Sequence, residues 1–82
     1  MKIDEGKRIL AAALKSSGVL ERSIKDITSE LTETEAKEYR LAVGKVLMAI
    51  GEELIEPVFV LFPDIEPHDE EGWKVLRQEL LG

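Results

Sequence analysis

The chain has 82 residues, a formal net charge of -6, 44% hydrophobic and 34% charged residues, and no cysteine. Such a composition folds and does not stay disordered, and it excludes disulfides, thiolate metal sites and cysteine nucleophiles. The mean field of so acidic a chain repels phosphate backbones and anionic lipid headgroups, so neither nucleic acid nor a membrane is an expected partner.

In chain order, Ile3, Leu10, Ala13 and Leu14 share one helical face and Ala11-Ala12-Ala13 favours helix, predicting a first helix over about residues 3–16. Ser16-Ser17-Gly18 reads as its stop, with Gly18 as a left-handed cap. Leu20, Ile24, Ile27 and Leu31 then form a single stripe, predicting a short second helix with Ser17 as N-cap.

The third predicted helix, over about residues 33–62, is the most distinctive. Thr32 and Glu35 have the spacing of a capping box, and acids in the first turn suit the helix dipole. One stripe runs Tyr39, Val43, Val46, Ile50, Leu54, Val58, Leu61, and a second adds Leu41, Leu47, Met48, Ile55, Phe59 and Phe62. At about 100° per residue the two merge into an apolar arc of roughly 200°, about twice what a surface helix needs. Pro57 interrupts the ladder and predicts a kink. Residues 58–62 are apolar on every face; helix is favoured over strand because no other segment offers a pairing partner. Pro63 to Pro67 reads as a turn, after which Glu66 or Asp69 caps a last helix whose buried stripe is Trp73, Leu76 and Leu80.

The expected architecture is a single all-α domain over residues 1–82, with four helices and the long Pro-kinked third helix as its spine. A chain this short covers little of so wide an apolar arc, which points to a homodimer through that helix. Candidate interface residues are Gly44, Gly51, Leu47, Leu54, Val58, Phe59 and Phe62. The two glycines are costly inside a helix unless another backbone approaches them.

Arg40 falls within the arc with no acidic neighbour three or four residues away, making it a candidate ion-pair or anion site. Glu52, Glu53 and Glu56 crowd one side before Pro57, with His68 in the acidic stretch beyond. That region reads as a solvated face, a dock for a basic protein or, less specifically, a carboxylate and imidazole metal site. No nucleophile with a base, Gly-rich phosphate loop or EF-hand pattern assembles, so no catalytic residue, cofactor or enzyme activity is expected. Acids follow Met1 where a signal peptide needs an apolar run, and Val58 to Phe62 is too short to span a bilayer, so the cytoplasm is the expected location. The functional expectation is a non-catalytic protein–protein interaction or regulatory module acting as a homodimer. A small-molecule or metal-binding domain using Arg40 or the Glu52, Glu56 and His68 neighbourhood is the alternative.

Overall fold

A computed structural model describes residues 1–82. The chain is all-helical, with α1 at Ile3–Thr28, α2 at Glu33–Ile50, a π turn at Gly51–Ile55, α3 at Glu56–Leu61, a 3₁₀ turn at Pro63–Ile65 and α4 at Glu70–Leu81. The π turn joins α2 to α3 without a break, so three helical bodies make the fold.

The first two predicted helices are one. Gly18 does not take the left-handed conformation of a cap, since Gly82 is the one residue with positive φ. Ser17 does not cap either: its hydroxyl donates to the Ala13 carbonyl at 2.9 Å, folding back onto its own helix. Leu10, Ala13, Ser17, Leu20, Ile24 and Ile27 step by three and four without losing phase. One continuous burial stripe outweighs the local cost of a glycine. The helix is instead broken near Ser29, where Glu30 and Leu31 donate to the Ile27 and Thr28 carbonyls in tight turns.

The predicted cap at Thr32 is present. Its hydroxyl accepts from the Glu35 N–H at 3.2 Å, and Glu35 Oε1 accepts from the Thr32 N–H at 3.0 Å. Asp69 caps α4 by accepting from the Gly72 N–H at 2.7 Å. At the start of α1, Glu5 Oε1 accepts from the Lys2 N–H at 2.7 Å. Each bond satisfies a donor that a helix start leaves without an intrahelical partner.

Around Gly51 the long helix departs from α geometry. The Glu56 N–H donates to the Gly51 carbonyl, five residues back, and Pro57 follows at the start of α3. A wide turn is one way to lodge a proline, whose ring would otherwise meet the carbonyl four residues earlier. It also changes which residues face inward. Inward positions step by four and three through Val43, Leu47 and Ile50, then jump five to Ile55 before Val58, Phe59 and Phe62. Unbroken α geometry would have placed Leu54 and Leu61 inward; they are instead 43% and 58% exposed. The broad apolar arc drawn at one constant angle per residue is therefore two narrower faces, brought into register by the extra residue.

The main core lies where α1, α3 and α4 meet. Leu10, Val58, Phe59 and Leu76 form its centre, with Ile9, Ile55, Phe62, Ile65, Trp73 and Leu80 packed around them. Trp73 meets Phe59 edge-on, with ring centroids 5.7 Å apart. α1 and α3 come so close at Gly6 that a Cβ there would stand 2.9 Å from Phe62 Cε2. At the other end α1 and α2 form a plain hairpin that buries only Ala36 and Val43 from α2. Ser23 Oγ and Tyr39 Oη are hydrogen-bonded across it at 2.5 Å.

Candidate functional surfaces

The structure distributes the seven candidate interface residues between core and surface. Val58 and Phe59 are buried in the protomer's own core, and Phe62 packs around that core against Gly6. Leu47 and Gly51 are half-buried, while Leu54 and Gly44 are exposed. A Cβ on either Gly44 or Gly51 would meet nothing within 4 Å. No side chain of this chain packs over them, so intrachain packing does not explain either glycine.

Leu41 and Met48, 58% and 65% exposed, complete that surface. Leu41, Gly44, Met48 and Gly51 follow at spacings of three, four and three, so they lie in one line along α2 and into the π turn. Val60 and Leu61 add a second exposed apolar spot on α3. Leu41 and Met48 were legible as members of the second sequence stripe, but not that they stay uncovered.

Arg40 stands in solvent and not inside the arc, so it is no buried charge in need of a partner. Glu52, Glu53, Glu56 and His68 are exposed as well, and no group of three or more carboxylate or imidazole ligands converges anywhere. The one ion pair is Lys7–Glu79, at 2.6 Å between α1 and α4. The Glu79 hydrogen bond and charge, with Asp4 adding a smaller effect, hold the Lys7 ammonium above its usual pKa of 10.5. Donation from the Thr32 N–H holds the Glu35 carboxyl below its usual 4.5.

A groove that sequence reading does not anticipate lies between the middle of α1 and the end of α4. It has a volume of about 570 Å³ and carries three cations, Lys15, Arg22 and Arg77, against one acid, Glu21. Lys15 and Arg22 lie on one helix, but Arg77 is distant in sequence, so a search for a basic run along the chain finds nothing. Leu14, Val19 and Leu81 supply apolar wall, and Gly18 forms part of the floor. An Arg22 guanidinium nitrogen lies 3.2 Å from where a Gly18 Cβ would stand, so the missing side chain lets the arginine fold down along α1.

No helix is long and apolar enough to cross a membrane. Compared with known protein families, curated proteins and solved structures, the chain matches none.

Proposed function

We propose that the chain is a non-catalytic helical interaction module that works as a homodimer, joined through the Leu41, Gly44, Met48 and Gly51 line of its long helix. The observation that carries this reading is the surface area. The protomer exposes 6155 Å² and buries 9 of its 82 residues, whereas a folded monomer of this mass exposes about 4,900 Å². The excess, about 1,200 Å², is of the size one subunit contributes to a stable homodimer interface. Shape agrees: the radius of gyration is 14.7 Å, against about 12 Å for a compact domain of this length.

Two hairpins of α1 and α2 laid face to face make a four-helix arrangement, with the glycines letting the two long helices approach closely. Exposed Leu41 and Met48 then bury their side chains against the twin subunit. The carboxylates of Glu52, Glu53 and Glu56 remain outside, where they present an acidic face to a basic protein partner in the cytoplasm.

Sedimentation equilibrium across a wide concentration range tests the dimer. The expected result is a dimer that Leu41→Glu with Met48→Glu converts to a folded monomer. A wild-type monomer that persists at high concentration and binds no apolar dye rules the reading out. Retention of a basic partner that weakens steeply with salt, and weakens again in a Glu52→Gln, Glu53→Gln, Glu56→Gln variant, tests the acidic face.

A further inference from the structure

We infer that the groove between the middle of α1 and the end of α4 is a binding site for a small amphiphilic anion, a carboxylate on a short aliphatic body. This goes beyond the dimer reading and does not rest on it. Three features of the groove select that ligand class: its charge, its wall and its size.

Charge comes first. In a chain of net charge -6, the groove gathers Lys15, Arg22 and Arg77 around the single acid Glu21. None of the three cations is in an ion pair, because the only such pair is Lys7–Glu79. Planar guanidinium groups recognise carboxylates through paired N–H donors, and two of them flank this space. Arg22 is also drawn down toward the groove floor: it lies four residues beyond Gly18, on the same helical face, and occupies the room a side chain at residue 18 would fill.

The wall supplies the second feature. Leu14 is nearly buried beneath the groove, while Val19 and Leu81 are 58% and 40% exposed at its sides. A bare phosphate or acetate would leave that apolar surface wet; an alkyl chain covers it. The third feature is size. A volume of about 570 Å³ lies within the range of small-molecule sites, about 300 to 1,000 Å³. Its floor runs from Leu14 to Arg22, little more than two helical turns, which is short for a docked helix.

Titration of the isotope-labelled chain with octanoate, followed by amide chemical shifts, tests the assignment. The expected result is saturable shifts centred on Gly18, Arg22 and Leu81, weakened about tenfold or more in Arg22→Gln with Arg77→Gln. n-Octanol, with the same body and no charge, and inorganic phosphate, with charge and no body, should each bind at least about tenfold more weakly than octanoate. Gly18→Leu fills the floor while improving helix propensity, so it should abolish the shifts without lowering the melting temperature. Absence of saturable binding by the wild-type chain overturns the inference. So does binding that the double arginine variant leaves unchanged, octanol or phosphate binding as tightly as octanoate, or a stably folded Gly18→Leu chain that binds as before.

Discussion

The two ends of this molecule use the same α1 helix very differently. Toward its N-terminus α1 meets α3 and α4, and the three enclose Leu10, Val58, Phe59 and Leu76. Toward its C-terminus it has α2 alone for company, and α2 offers Ala36 and Val43 as its only buried residues. Two helices cannot enclose a core; each keeps a face that nothing covers. The difference separates what makes this chain fold from what it leaves available: the packed end encloses four large side chains although Val60 and Leu61 stay exposed on its outer face, whereas the bare end encloses little and holds Leu41 and Met48 in the open.

The largest expected effect that sharpens this contrast is truncation of Leu10, 1% exposed at the packed end. Leu10→Ala should lower unfolding free energy by about 3 kcal/mol in urea titrations, whereas Val43→Ala, at the bare end, should cost about 1.5 kcal/mol. Equal losses would show that the hairpin end is as well enclosed as the other.

Glycine substitutions should split in sign across the same divide. Gly6→Ala places a Cβ 2.9 Å from Phe62 and 3.1 Å from Val58; overpacking there should outweigh the helix gain and leave a net loss of about 1 kcal/mol. Gly44→Ala meets nothing within 4 Å and should stabilise an isolated protomer by up to about 1 kcal/mol. Measured at rising concentration, that gain should shrink if two long helices approach at Gly44, and a gain independent of concentration would break the link between this glycine and the dimer.

Removing the cap of the hairpin's second helix comes next. Thr32→Ala should cost about 1 kcal/mol, with faster amide exchange confined to the first turn of α2 and no change around Phe59. Spread of that exchange into α3 would mean that the two ends unfold as one unit.

The smallest expected effect is on pH dependence. Glu35 titrates below its usual 4.5 in the folded chain, so its contribution is present above that value and is lost as pH falls through the depressed folded pKa. Lys7 titrates above 10.5, so its contribution is full below 10.5 and is lost as pH rises through the raised value. Glu35→Gln should flatten the acid arm of a melting-temperature profile, and Lys7→Met the alkaline arm, each leaving the opposite arm unchanged.

Much of the fold is legible from the chain because it is local. The capping box at Thr32 and the final stripe of Trp73, Leu76 and Leu80 depend on residues a few positions apart, and both are present. Gly18 misleads because propensity is a weak, local preference, while the in-phase spacing of Leu10 to Ile27 that overrides it spans the whole helix. The inward placement of Leu54 and Leu61 fails for another reason: a constant angle per residue was carried through a turn that does not obey it, whereas Arg40, ahead of that turn, is exposed because α2 is buried only on its Ala36 and Val43 side. The cationic groove has no local pattern, since Arg77 joins Lys15 and Arg22 only after α4 crosses back onto α1.

That irregular turn lets the long helix carry one residue more than a regular helix of the same register. Were the turn wound as a regular α-helix with every residue kept, everything beyond would rotate by about 100°. Val58 and Phe59 would swing away from Leu10, and the neighbours now in solvent would take their places. Deletion of Glu52 or Glu53 would instead let a regular helix form with Val58 and Phe59 still facing Leu10, because the inward step from Ile50 to Ile55 would fall from five residues to four. Variation among any relatives of this chain should therefore tolerate the loss of one residue here, with the π turn lost alongside it.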